Sequence, residues 1–402
     1  MRATPMRIPM KNCWHNARRI ARCAVIAAWL AGCAGRMPET GAPPIAETVP
    51  APPGATATMP LAPAAPLAPA DARALIEASL PRGVADRAGW SADITAAFTA
   101  LGIAANRETL CAVIAVTAQE SGFEVDPPVA HLGAIAWKEI DKRAEHAGVP
   151  PAIVHGVLQL PSPTGVTYAE RIDRAHTEKE LSDIFEDFTG SVPLGRSLFA
   201  SWNPIRTRGP MQVSVTFAEA FAKQRPYPYP VKVSIADELF TRRGSLYFGS
   251  AHLLDYPAGY ERYLYRFADY NAGQYASRNA AFQSALARVS GLPVKTDGAL
   301  LAHEDAAAGA GSTESAARSI AQRLHLNEAA IHDALEQGKS ARLERTELYL
   351  RVFALGDARA GRRLPRALVP HIKLVGPKLT RTLSTEWYAQ RVDERFRQCV
   401  AR

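Results

Sequence analysis

The run at residues 106–123, NRETLCAVIAVTAQESGF, decides the fold class. Leu110, Val113, Ile114 and Thr117 recur at helical spacing and fall on one side. Asn106 can cap the start of that helix, and Gly122 can end it. A helix this apolar belongs in a core, and it carries the polar end Gln119-Glu120-Ser121 to the edge of that core. The C-terminus of a helix is partly negative, and apolar neighbours desolvate a carboxyl group. Both effects hold a carboxyl in its protonated form. A carboxyl still protonated near neutral pH is what general acid catalysis requires. Taken alone, the stretch is equally that of a solvated glutamate at a helix end, the commoner outcome for this residue type.

The same periodicity extends outward along the chain. Ser91 can cap a helix with Ile94, Phe98 and Leu101 on its inner face. Further helical periods cover residues 235–254, 260–270, 315–324, 328–337, 343–355 and 384–399. Strand-like alternation is confined to 213–215 and 231–233, and no repeat of solenoid length occurs. The expected fold class is mostly α. A Gly/Ala-rich passage at 306–312 divides a body at 71–305 from a helical C-terminal region at 306–402.

Ahead of this body, Arg2, Arg7, Lys11, Arg18, Arg19 and Arg22 precede a short apolar run at 23–32, with no acidic residue before Cys33. The run is too short to span a bilayer and has the form of a secretory signal. It ends in Leu30-Ala31-Gly32-Cys33, which resembles a lipobox; residues 1–33 are read as a lipoprotein signal peptide with Cys33 lipidated. Removing the six leader cations from a formal charge of +8 leaves +2, so the mature chain has no global field for polyanions. Residues 34–70 hold ten prolines and read as a disordered tether, about 115 Å long if extended and about 35 Å as a coil. Ala34 is not the aspartate that by family resemblance retains lipoproteins at the inner membrane. The expected location is therefore the outer membrane, facing the periplasm. The membrane partner is reached through Cys33, and nucleic acid is not expected.

Two more short motifs follow the first. Gly209-Pro210-Met211-Gln212 places backbone freedom beside an amide side chain that both donates and accepts. Tyr270-Asn271-Ala272-Gly273 closes a helix. Singly, these are a turn with a core methionine and an ordinary helix cap.

In this order the three motifs resemble the signatures of the goose-type lysozyme and soluble lytic transglycosylase family: Glu-Ser, Gly-x-Met-Gln and Ala-Tyr-Asn-Ala-Gly. Residues 243–254, RGSLYFGSAHLL, resemble a helix that the family places between the last two. The match covers about 107–282, and the whole chain also resembles a family of uncharacterised bacterial lipoproteins. The resemblance implies a lysozyme-like helical domain that cleaves the MurNAc–GlcNAc bond of peptidoglycan without a cofactor. It makes Glu120 the acid and then the base, with Tyr270 hydrogen-bonded to its carboxyl. Ser121 would support Glu120, Met211 and Gln212 would line the site with Gln212 on an N-acetyl group, and Asn271 and the Ala272 carbonyl would face substrate. In this family one carboxyl suffices, because the sugar's own C6 hydroxyl attacks and leaves a 1,6-anhydro end. A hydrolytic muramidase or a glycan-binding scaffold remain the alternatives.

Two departures stand out. Asp269 puts a carboxylate where the family has a small apolar residue, and residues 124–208 form an insertion where typical members have a short loop. Helical patterns at 137–147 and 179–188 lie within that insertion, which could wall, cover or block a glycan groove. His252 stands where the family often has tyrosine and reads as packing, with no metal-ligand spacing around it. Cys111 and Cys399 are either a disulfide or two buried thiols. The seven basic residues from Arg359 to Arg381 read as a solvated face or a contact for anionic polymer.

Overall fold

The helix at the centre of the protein forms because its first turn is closed from both directions. The Asn106 side chain accepts from the Thr109 N–H at 2.9 Å, while Thr109 Oγ1 accepts from the Asn106 N–H at 3.0 Å. The computed structural model describes residues 65–191, 203–301, 311–374 and 382–402, and it is mostly helical. The expected lipidation site at Cys33 and most of the expected tether lie outside the described residues. The expected boundary at 306–312 also falls largely outside them.

In chain order the helices are α1 (Pro69–Ser79), α2 (Arg87–Leu101), α3 (Arg107–Glu120), α4 (Leu132–His146), α5 (Pro151–Leu158), α6 (Tyr168–Arg174) and α7 (Glu178–Ser191). A hairpin of β1 (Thr207–Arg208) and β2 (Val213–Ser214) pairs Thr207 with Ser214 and Arg208 with Val213. There follow α8 (Val215–Gln224), α9 (Ile235–Glu238), α10 (Arg242–Leu254), α11 (Tyr263–Ala272), α12 (Ala276–Ser290), α13 (Ser312–Ser319), α14 (Ala321–Leu324), α15 (Glu328–Glu336) and α16 (Glu347–Ala360). A second hairpin, β3 (Lys373–Leu374) with β4 (Leu383–Ser384), leads into α17 (Thr385–Val400).

Three apolar clusters hold these elements. The first surrounds α3, whose residues 110–117 are all buried, and it draws side chains from α1, α2, α10, α11 and α17. The second joins α12 to α13–α16. The third is the core of the inserted segment, built from α4–α7 with Ile205 and Phe240. The region after 306 is thus shared between two cores, since α17 returns to pack on α3 and α11 while α13–α16 stay with α12.

Several expectations are corrected. The tether ends before 70: the Leu67 N–H already bonds the Ala105 carbonyl, and Pro69 opens α1. Ser91 does not cap α2. Asp86 does, accepting from the Gly89 N–H at 3.1 Å, and Ser91 lies buried inside the helix. The period at 235–254 is interrupted because Thr241 caps a new helix there, accepting from the Gly244 N–H. Residues 231–233 form no strand. Among the described residues, the expected insertion at 124–208 holds four helices, where the sequence pattern indicates two.

Candidate active site

Glu120 is the last residue of α3 and is half-buried. Beyond it Ser121 ends the helix, and Gly122 and Phe123 both take left-handed backbone conformations, with φ of 62° and 71°. That conformation is costly for phenylalanine, and burial helps to hold it. The Phe123 ring is buried edge-on against Trp90, with centroids 5.0 Å apart. Ser121 Oγ accepts from the Phe123 N–H at 3.2 Å and donates to the Thr117 carbonyl at 3.3 Å. Ser121 therefore fixes the turn that carries Glu120.

The group that touches the Glu120 carboxyl comes from α17. The Tyr388 hydroxyl donates to Glu120 Oε1. Tyr388 is buried, and desolvation together with the nearby Glu120 charge holds its phenol well above the usual range, so it stays a donor. Tyr270 was expected to make this bond. Its hydroxyl instead donates to the Met211 carbonyl at 2.7 Å, and its phenol too is pushed up by desolvation and by the charge of Glu120. Tyr270 thus anchors the Gly-Pro-Met-Gln turn from a position close enough to feel Glu120.

That turn is tightly built. Gly209 has φ of 73°, and a Cβ there would lie 1.9 Å from the Leu239 carbonyl oxygen, so glycine is needed for backbone packing against α9 rather than for a ligand. Met211 is fully buried; its N–H donates to Ser245 Oγ at 3.0 Å, and its side chain fills the space that a Cβ at Gly249 would take. Gln212, at φ of 50°, accepts from Thr207 Oγ1 at 2.8 Å and donates from Nε2 to Glu178 Oε2 at 3.0 Å. Its amide, expected on an N-acetyl group, is engaged by a carboxylate from the inserted segment. The insertion therefore reaches the candidate site through the first residue of α7.

At the end of α11 Asn271 is exposed, and its Oδ1 accepts from Thr385 Oγ1 at 2.8 Å. Ala272 is the last helical residue beside it. The same first turn of α17 therefore serves both Asn271 and, three residues on, Glu120. His252 stacks between Phe217 and Tyr270, with ring centroids 4.5 and 4.9 Å away. Burial lowers its pKa to about 4, which leaves it neutral near pH 7.

Asp269, the unusual carboxylate, points away from this group. It is fully buried and accepts from the Tyr256 and Tyr260 hydroxyls and from the Tyr275 and Ser277 N–H groups, at 3.0, 2.7, 3.0 and 2.6 Å. Desolvation pushes its pKa up despite these donors. It organises the α11–α12 turn.

Cys111 on α3 and Cys399 on α17 form a disulfide, with Cα atoms 5.6 Å apart. The two helices run antiparallel, joined by sulfur near one end and by Tyr388–Glu120 at the other. Tyr388 is the site residue that sequence reasoning missed. A signal was present: from Cys111 to Glu120 is about 13.5 Å of helix, and from Cys399 back to Tyr388 is about 16.5 Å. Had the two cysteines been taken as paired, those rises would have brought the tyrosine to the carboxyl.

The profile of a family described as "Protein of unknown function (DUF1615)" matches residues 83–402. A relative from Escherichia coli (strain K12), "Uncharacterized protein YaiW", is 45% identical over 330 residues, covering 82% of this chain and 90% of its own length. No solved structure matches.

Proposed function

We propose that this chain, which belongs to the family described as protein of unknown function (DUF1615), is a lipid-anchored lytic transglycosylase of lysozyme-like fold that cleaves the glycan strands of peptidoglycan. The observation that carries the reading is the Tyr388–Glu120 hydrogen bond at the end of the core helix, flanked by Tyr270 and Asn271. In this mechanism Glu120 gives its proton to the oxygen linking MurNAc to GlcNAc, and the bond from that oxygen to MurNAc C1 breaks. The C6 hydroxyl of the same MurNAc then attacks C1, and Glu120 takes the hydroxyl proton. The products are a free GlcNAc 4-hydroxyl and a 1,6-anhydro-MurNAc end, with Glu120 restored. Tyr388 holds the carboxyl through Oε1 and so fixes its direction at the end of the helix.

Asp269 supports a one-carboxyl scheme over the hydrolytic alternative. Although it adjoins Tyr270, its oxygens are taken by four donors and it is shut away from water, so it cannot position a nucleophile. One observation favours the binding-scaffold reading: the insertion's Glu178 already holds the Gln212 amide. Digestion of purified sacculi followed by mass spectrometry separates the three readings. Anhydro ends are expected; reducing ends would mean hydrolysis, and retained but uncut glycan would mean a binder.

The anchor has its own test. Cys33→Ala is expected to leave the outer-membrane fraction and to change the mobility of the processed chain. Unchanged fractionation and mobility would remove the lipidation reading.

A further inference from the structure

A cavity of about 570 Å³ lies against α11, on the side turned away from Glu120. Tyr263, Phe267 and Tyr270 follow one helical stripe, and the first two rings pack on Phe396 of α17. Tyr265 is rotated by about half a turn from that stripe and lines the cavity instead. The volume falls in the range of small-ligand pockets. Its walls come from the turn before α11, from Arg278 on α12, from Glu344 and Tyr349, and from residues 363–367.

Two of its three arginines are already committed. The buried Arg278 guanidinium donates to the carbonyls of Ser340 and Gly338 at 2.8 and 2.7 Å and lies 3.7 Å from Glu344. Arg366 pairs with Asp357 through both of its terminal nitrogens, at 3.1 and 2.7 Å. Arg363 is exposed and makes no ion pair among the described residues, and the same is true of Glu261 across the cavity. Tyr349 is more than nine-tenths buried, with its ring stacked on Phe282, yet its hydroxyl has no hydrogen-bond partner among the described residues. Desolvation and the charge of Glu344 push that phenol up to about 12, so it remains a hydroxyl at any ordinary pH.

We propose that this cavity binds a short peptide bearing both a free carboxylate and a free ammonium group. Arg363 takes the carboxylate, Glu261 the ammonium, and the Tyr349 hydroxyl an amide between them, against the apolar wall of Leu364 and Pro365. A polyanion fits poorly, because one uncommitted cation faces two carboxylates, Glu261 and Glu344. A neutral sugar would leave both uncommitted charges unused. The proposal does not depend on glycan cleavage, since Glu120 is no part of this cavity.

The test is titration of the whole protein with trialanine, followed by NMR, alongside trialanine acetylated at the N-terminus and amidated at the C-terminus. Free trialanine is expected to bind in the millimolar range or tighter, and each cap to weaken it about tenfold. Arg363→Ala should weaken the free peptide by about tenfold and abolish discrimination against the C-terminal amide. Tyr349→Phe, which keeps the ring, should weaken all forms by a similar small factor. Absence of binding up to about 10 mM, equal affinity of the doubly capped peptide, or an unaltered affinity in Arg363→Ala would each overturn the proposal. Glu120→Gln should bind trialanine as the parent does, so failure here and failure of the glycan reading are told apart.

Discussion

Glu120→Gln is expected to lose glycan cleavage by a factor of about 10² to 10⁴, equivalent to about 3–5 kcal/mol of transition-state stabilisation, while keeping its fold and its grip on glycan. Glutamine is nearly isosteric, so the end of α3 and the turn through Phe123 are preserved. Its side-chain carbonyl can still accept from the Tyr388 hydroxyl, which keeps α17 seated. What it cannot do is hand a proton to the leaving oxygen or take one back. The loss should exceed the lower figure because one group serves both steps. Glu124→Gln, exposed and just past the turn, is the control and should retain activity. Rates on sacculi within a few-fold of the parent for Glu120→Gln would show that another residue or another chemistry is at work.

Removing the disulfide is expected to have the largest effect on stability. Cys111 and Cys399 close a loop with a sequence separation of 288, for which the chain-entropy model gives about 6 kcal/mol as an upper figure. Replacing both with alanine should therefore cost about 2–5 kcal/mol, which for a folded body of this size lowers Tm by about 3–7 °C. Activity should fall at temperatures where the fold persists, because Tyr388 rides on the helix that has been released. Labelling of the unfolded, unreduced mature chain should find neither thiol. Two reactive thiols, or a double variant that melts with the parent, would sink this account.

Local chemistry was legible and long-range chemistry was not. The capped start of α3 and its stop at Ser121-Gly122 follow from residues within a few positions of each other, and the structure shows both. The break at Thr241 escaped notice because the apolar spacing runs through it. Thr241 caps the new helix there, and Gly244 lets its first turn pack against the Glu238 carbonyl, where a Cβ would sit 2.0 Å away. At the candidate site, Glu120, Ser121, Met211, Gln212 and Tyr270 are brought into one region by α3, the first hairpin and α11. Ser121 and Gln212 also have near neighbours as partners. The phenol on the Glu120 carboxyl and the carboxylate on the Gln212 amide nitrogen, however, come from elements distant in sequence. Tyr388 lies 268 residues from Glu120, and Glu178 lies 34 residues from Gln212. Asp269 looked like an intrusion into an apolar site, because sequence does not show four donors converging on it.

The pairing of α3 with α17 also sets a clock. At about 5–20 residues per second, a ribosome that has just made Glu120 needs about 13–54 s more before Tyr388 exists. Throughout that interval the carboxyl lacks its phenol, and the sulfur that would fasten α17 in place has yet to meet an oxidant. A nascent chain, or one clipped after β4, carries Glu120 without the tyrosine that holds its carboxyl. Fastening α17 to α3 is tied to arrival where an oxidant can join Cys111 to Cys399.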